Sequence, residues 1–148
     1  ERDAGEMIPK SIVRALNGKP ILVFGDGSQT RDFTYVEDTA RGLIAAAKCD
    51  DAIGRTLNLG SNFEVSIKQT AELILDMVGS RSGRIEYVKD RRGDVRRLLS
   101  DSTLFHGMTN WKPRTGFEEG LLKTIHWFKS RPEGISALLE QEEGINWE

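Results

Sequence analysis

Arginines are the residues of this sequence best suited to chemistry with a ligand. Arg31 follows a glycine-rich turn in the stretch GDGSQTRDF, Gly25–Phe33. Four more arginines crowd a second loop, KDRRGDVRR, Lys89–Arg97. A guanidinium keeps its charge and donates paired hydrogen bonds to phosphate oxygens. The two loops could therefore converge on one diphosphate, although a solvated basic loop paired with local acids explains the same pattern.

Gly93 and Asp94 stand between the arginines of the second loop. A glycine lets the backbone approach a ligand closely, and a carboxylate accepts hydrogen bonds from hydroxyl groups such as those of ribose. A basic loop also suits nucleic acid. The formal net charge of −2 and the lack of aromatic residues among the arginines argue against nucleic-acid binding.

The sequence contains no convincing catalytic constellation or metal site. His106 and His126 are twenty residues apart, and neither has a carboxylate or cysteine at the spacing of metal ligands. We expect them to be surface or packing residues. Cys49 is the only cysteine, so a disulfide framework is excluded and a structural thiol is expected. We therefore predict neither catalytic residues nor metal ligands.

Helices and short strands alternate along a chain of 148 residues, a length that fits one domain. We predict a small mixed α/β lobe with short strands and without a complete Rossmann sheet. Helices are expected from about Ile8, Asp38, Ser66, Asp101 and Glu118, and strands over Ile21–Phe24, Phe33–Val36, Thr56–Leu59 and Ile85–Val88.

The apolar runs are too short to span a membrane, and no signal peptide is visible. A cytoplasmic location is the resulting expectation. The chain opens on Glu1 rather than on methionine, which suggests that it is a fragment or a trimmed sequence.

Four blocks of sequence resemble one protein family. The block NGKPILVFGDGSQTRDFTYVEDTARGLIAA is similar to the substrate-domain segment of the nucleotide-sugar epimerases and dehydratases, the extended short-chain dehydrogenase/reductases. RTLNLGSNFEVSIKQTAELI, RRGDVRRLLSDST and NWKPRTGFEEGLLKTIHWF resemble the following blocks, in the same order. The resemblance extends from about Met7 to Phe128, and four ordered blocks are more specific than any one of them.

The resemblance implies polar ligands for the nucleotide. Arg31 matches the arginine of the TRDF block, which binds the diphosphate. Arg91, two residues before Gly-Asp, matches a second phosphate ligand, and Asp94 is expected near the ribose. Arg92 replaces the proline that usually follows the first arginine of this block. Arg92 could supply an extra charge or substitute for Arg91.

The resemblance also implies contacts with the base and the sugar. Leu22 and Phe24 match the short strand that flanks the base, and Met7 lies in the segment that borders the nucleotide sugar. Asp38 matches the aspartate at the start of the helix in YVEDTA, where capping the helix and binding a ligand both remain open.

Features of the family's N-terminal half are missing. That half carries a glycine-rich dinucleotide fingerprint and a Tyr-x-x-x-Lys pair, but Tyr35 and Tyr87 are followed four residues later by Thr39 and Arg91. The interpretation is that residues 1–131 form the C-terminal nucleotide-sugar-binding lobe, followed by a helical or mobile tail, residues 132–148. NAD(P) is implied for the full-length parent. We do not expect this chain alone to bind a cofactor or to be catalytic.

Two hypotheses remain open. The chain is the binding lobe of an epimerase, dehydratase or decarboxylase, or it is a free-standing binding or interaction module without activity. A nucleoside-diphosphate sugar is the small-molecule partner that the resemblance implies, and no nucleic acid or membrane is expected. Apolar surface that normally lies between domains would be covered by a second copy or by the missing Rossmann lobe.

Overall fold

The computed structural model describes residues 6–80, 83–91 and 93–131, together with residues 134, 137 and 139. The chain forms two compact units, each built from separate stretches of sequence. Unit 1 comprises Glu1–Ser28, Ile67–Asp94 and Leu121–Glu148, and unit 2 comprises Gln29–Ser66 and Val95–Gly120. The tail predicted from residue 132 lies largely outside the described residues, and the single lobe over residues 1–131 stays a prediction.

Short strands and longer helices alternate, as the sequence predicts. The helices are α1 Met7–Leu16, α2 Val36–Ala47, α3 Ile67–Val78, α4 Thr103–Thr109 and α5 Phe117–Lys129, with a 3-10 turn at Asp50–Ala52. The strands are β1 Ile21–Phe24, β2 Thr30–Asp32, β3 Glu64–Ser66, β4 Ile85–Val88 and β5 Arg97–Leu98. The small mixed α/β fold is confirmed, and the described residues contain no complete Rossmann sheet.

Unit 1 is built on a parallel pair of strands covered by helices. Strand β1 pairs in register with β4, from Ile21 opposite Ile85 to Phe24 opposite Val88. Helices α1 and α3 contact β1, and both Ile21 and Val23 are fully buried. Burial of an aliphatic side chain stabilises the fold by about 1.5–3 kcal/mol. Because successive side chains of a strand point to opposite faces, burial of Ile21 and Val23 determines which face of β1 the helices cover. Its other face stays outward.

Unit 2 contains a three-stranded sheet with β2 in the centre. Strand β2 runs antiparallel to β3 and parallel to β5. A separate aromatic contact joins Phe105 of α4 to Trp111, with ring centroids 5.5 Å apart and planes at 60°. Both residues are buried, so they form part of the core of this unit.

Two predicted strands are wrong. The run Phe33–Val36 is not a strand: β2 ends at Asp32, and Val36 already begins α2. Thr56–Leu59 pairs with no strand among the described residues. Side-chain composition favours extended backbone in both runs, but a strand also requires a neighbour to accept its hydrogen bonds. The sequence cannot show which neighbour is present.

No helix within the described residues is both long enough and apolar enough to cross a bilayer.

Candidate functional site

Arg31 lies in the central strand of the unit 2 sheet. Its Nη1 donates to the carbonyl oxygens of Thr30 and Val95, each at 2.7 Å. These bonds join β2 to the segment that precedes β5 and orient the guanidinium. An arginine that is already oriented loses less conformational freedom when it binds an anion. The resemblance implies that Arg31 is a ligand. Sequence reasoning did not predict that Arg31 also links β2 to the segment that precedes β5.

Asp32 organises the loops around the same sheet. Its carboxylate accepts hydrogen bonds from the backbone N–H groups of Ser61 at 3.0 Å, Asn62 at 3.1 Å and Ser100 at 3.3 Å, and from the Ser61 hydroxyl. Asn62 has a positive φ of 58°, and its Oδ1 accepts from the backbone N–H of Ser102 at 2.9 Å. Asp32 is therefore a structural residue, which sequence reasoning missed.

A cavity of about 330 Å³ opens beside Asp32. Asp32, Thr34, Asn58 and Ser100 supply its polar lining, and three leucines and Gly60 supply the remainder. A Cβ on Gly60 would lie 2.4 Å from Ser100 Cβ and 3.0 Å from Asp32 Oδ2. Glycine is therefore needed at position 60 for this loop to approach the sheet.

Asp38 is almost completely buried in the first turn of α2. Its carboxylate accepts from the backbone N–H of Arg114 at 3.1 Å and of Thr115 at 2.9 Å, and it pairs with Arg41. The capping role considered for Asp38 is wrong, because Tyr35 is the N-cap residue and makes no side-chain capping bond. Asp38 instead anchors the loop before α5.

The basic loop is divided between the two units. Arg97 in unit 2 donates from Nε to Glu64 Oε2 at 2.7 Å, across the β2 strand. This hydrogen bond and the adjacent negative charge raise the pKa of the Arg97 guanidinium above its usual range. Arg97 is therefore paired with a local acid, which is one of the two interpretations that the sequence allows for the basic loop. Arg91 and Asp94 belong to unit 1 and are both exposed.

Leu22 and Phe24 occupy the outward face of β1 in unit 1. Their neighbours Ile21 and Val23 are buried on the other face, whereas Phe24 is 38% exposed. Met7 begins α1 in the same unit. Leu22 and Phe24 therefore share the outward face of β1, and their predicted contact with the base stays a prediction.

The loops after β1 and β4 lie side by side. The backbone N–H of Gly25 donates to the carbonyl of Val88 at 2.9 Å. Gly25 has a φ of 65°, and a Cβ there would lie 2.2 Å from Asp90 Oδ1. Because β1 and β4 are parallel, their carboxyl ends meet at this edge. Residues 89–91 therefore lead away from the edge at which Phe24 stands.

The turn after Arg91 keeps its backbone accessible. The N–H of Asp94 donates to the carbonyl of Arg91 at 3.1 Å, and Gly93 has a φ of 76° with nothing within 4 Å of an added Cβ. Arg92 lies outside the described residues, so its predicted contribution is untested. Five of the six predicted site residues fall in unit 1 and Arg31 falls in unit 2, and the convergence of the two arginine loops stays a prediction.

Of the three histidine and cysteine side chains considered for catalysis, His106 and Cys49 contact neighbouring residues and His126 is exposed. The ring of His106 lies 5.4 Å from that of Trp111, and Cys49 Sγ donates to the carbonyl of Met108 at 3.6 Å. In the part of the chain that the structure describes, no group of three or more His, Cys, Asp or Glu residues could hold a metal ion.

Comparison with known proteins places this fold in a family. The family model for GDP-mannose 4,6 dehydratase matches residues 2–124. The chain is 39% identical over 123 residues to the low-salt glycan biosynthesis protein Agl12 of Haloferax volcanii, covering 83% of the chain and 39% of that protein. The chain thus spans well under half the length of this relative.

Solved structures agree with the sequence match. An epimerase from Methanothermobacter thermautotrophicus matches 89% of the chain with a TM-score of 0.84 at 36% identity, and the match covers 39% of that structure. The UDP-glucuronic acid 4-epimerase of Bacillus cereus, solved in complex with UDP-glucuronic acid and NAD, matches 84% of the chain with a TM-score of 0.79 at 28% identity and 40% coverage of that structure. The chain therefore belongs to the NAD-dependent nucleotide-sugar epimerases and dehydratases, within the extended short-chain dehydrogenase/reductases.

Proposed function

We propose that this chain is the nucleotide-sugar-binding part of an NAD-dependent epimerase or dehydratase of nucleoside-diphosphate sugars. The observation that carries the proposal is the edge of unit 1 where β1 and β4 end together. An apolar face, on which Leu22 is half-buried and Phe24 is exposed, lies there beside the loop that bears Arg91 and Asp94. Ligands of α/β proteins bind preferentially at the carboxyl ends of parallel strands.

The side chains at this edge suit the three parts of a nucleotide. A base can stack on the Phe24 ring and pack against Leu22, since base stacking on an aromatic ring is worth about 1–3 kcal/mol. Arg91 offers a planar fork to the diphosphate, and Asp94 offers acceptors to the ribose hydroxyls. The resemblance implies a second phosphate ligand in unit 2, Arg31, which two backbone carbonyls orient; this assignment does not rest on the edge of unit 1.

The residues of this chain do not fit NAD. Gly25 and Gly27 begin a glycine pattern after β1, but Thr30 stands at the sixth position and a strand follows instead of a helix. Neither tyrosine of the sequence has a lysine four residues later. We therefore assign the cofactor and the acid/base chemistry to a different part of the full-length protein. A cytoplasmic location stays a prediction.

Calorimetric titration of the chain with UDP, dTDP, GDP and CDP tests the proposal. At least one diphosphate should bind, and Arg91→Ala or Arg31→Ala should weaken it by about 1.5–3 kcal/mol, the range for a hydrogen bond to a charged group. Arg55→Ala is the matched control, because Arg55 is exposed in unit 2 and outside the proposed contacts. Equal affinities for all of these chains would contradict the assignment of the two arginines.

A free-standing interaction module is the second candidate. The observation that favours it is the exposed apolar surface of α2, where Val36 is 69%, Leu43 64% and Ile44 55% exposed. Such a surface is typical of an interface. Nucleotide titration separates the candidates, since a module without the proposed function should bind none of the four diphosphates.

A further inference from the structure

The outward face of the β1–β4 sheet carries a carboxylate. Residues paired in register on neighbouring strands point to the same face of a sheet. Leu22 is paired with Glu86, and Phe24 with Val88. These four side chains therefore share one face, which consists of an apolar platform with an acidic group at its side.

Glu86 has no structural role in the contacts of the described residues. It is exposed, and within the residues that the structure describes it makes no hydrogen bond or ion pair. Its strand neighbour Leu22 is half-buried. Since paired strands lie about 4.8 Å apart, the Glu86 carboxylate can reach the rim of a planar ring that rests on Leu22 and Phe24.

We propose that Glu86 makes this face selective for a guanine base. This inference rests on the proposed function, because it assumes that a nucleoside diphosphate binds at the end of β1 and β4. Guanine presents two adjacent N–H donors, N1–H and the 2-amino group, and a carboxylate accepts both in parallel. The ring stacks on Phe24 while its diphosphate extends toward the loop that bears Arg91.

The other bases match this carboxylate less well. Uracil and thymine offer a single N–H donor flanked by two carbonyl oxygens, which a carboxylate repels. Cytosine and adenine offer an amino group next to a ring nitrogen that is itself an acceptor. Only guanine satisfies both carboxylate oxygens without placing an acceptor against them. The expected order is therefore GDP first, with UDP and dTDP weaker.

The test is the ratio of dissociation constants for UDP and GDP, measured by calorimetry on the whole chain. A paired hydrogen bond at an exposed site predicts a ratio of about three to ten in favour of GDP. Glu86→Gln should reduce this ratio to about one. The ratio is the proper readout because removing a negative charge strengthens binding of every diphosphate to a similar extent.

Glu72→Gln is the matched control, since Glu72 is an exposed glutamate on α3 of the same unit. It should leave the ratio unchanged. Because Glu86 is exposed, its variant should unfold at the wild-type temperature, which a thermal scan checks. Binding of UDP as tightly as GDP, or a GDP preference that persists in Glu86→Gln, overturns the inference while the proposed function stands. Binding of no diphosphate at all overturns the proposed function itself.

Discussion

Two of the aspartates of unit 2, Asp32 and Asp38, hold loops in place. Asp32 gathers three backbone N–H groups and a hydroxyl from two loops, and Asp38 anchors the backbone of Arg114 and Thr115. Because buried N–H groups without a partner are costly, a short carboxylate that accepts several of them fixes loops that lack secondary structure. Beside them, Arg31 is oriented by carbonyls. Asp32 and Asp38, which lie in the same unit as the proposed phosphate ligand Arg31, thus mainly stabilise loops.

Asp38 provides a prediction at the scale of one residue. Asp38→Asn keeps the shape of the side chain but removes its charge, and it turns an N–H donor toward the donors of Arg114 and Thr115. We expect the free energy of unfolding to fall by about 2–3 kcal/mol, the cost of losing hydrogen bonds to a buried charged acceptor.

Urea denaturation followed by circular dichroism measures this loss. The control is Glu37→Gln, one position earlier on α2, where the side chain is exposed and the expected change is within about 0.5 kcal/mol. A loss of similar size in both variants would mean that charge at the start of α2, and not the anchored loop, sets the stability.

The elements that the sequence predicts best are those that satisfy their own backbone. Helices α1, α3 and α5 follow from their apolar spacing, because a helix forms its hydrogen bonds within one segment. The all-apolar run of β1 and the largely apolar run of β4 both predict strands, and both pair in the structure. Thr56–Leu59 has a similar composition but finds no partner among the described residues. Strand pairing depends on residues far away in the sequence, which periodicity cannot identify.

The candidate site residues come from the resemblance to the family. Its ordered blocks single out Arg31, Arg91 and Phe24 as candidates, and their roles stay predictions. The partners of Asp32 and Asp38 were not predictable, since they join segments that are 29 to 77 residues apart. Likewise, only the register of β4 against β1 places Glu86 beside Leu22.

The turn after β1 provides a prediction at the scale of the element. Gly27 has a φ of 72°, and a Cβ there would lie 2.8 Å from Val23 Cγ1 and 3.0 Å from Lys68 Cβ. Gly54 has nearly the same φ, 74°, but nothing within 4 Å of an added Cβ. Gly54→Ala should therefore cost about 1–2 kcal/mol for the left-handed backbone alone. Gly27→Ala should cost about 1–3 kcal/mol more, because it also overpacks the contact with α3.

Chemical denaturation of the two alanine variants gives this difference directly. The comparison separates backbone strain from crowding, since only crowding differs between the two sites. Equal destabilisation would show that the turn moves away from Val23 and α3 without cost.

At the scale of the whole molecule, exposed apolar surface is unevenly distributed. Among the described residues, nine of the thirteen large apolar side chains that are exposed belong to unit 2: Val36, Leu43, Ile44, Ile53, Phe63, Val95, Leu98, Leu99 and Leu104. Single exposed leucines are normal in soluble proteins, but several on one helix predict an interface. The chain also spans only 39% of the length of its Haloferax relative.

We expect the isolated chain to associate with a second copy through the exposed face of α2. Sedimentation velocity over a range of concentrations should show a monomer that gives way to a dimer, because burying these side chains removes apolar surface from water. Leu43→Lys should shift the equilibrium toward the monomer by at least about tenfold in the dissociation constant, since a lysine in an apolar contact loses its hydration. Leu122→Lys is the control, because Leu122 is 40% exposed on α5 in unit 1. A compact monomer at every concentration would contradict this prediction. The exposed face of α2 would then have a different partner, and a further part of the full-length protein would be the first to test.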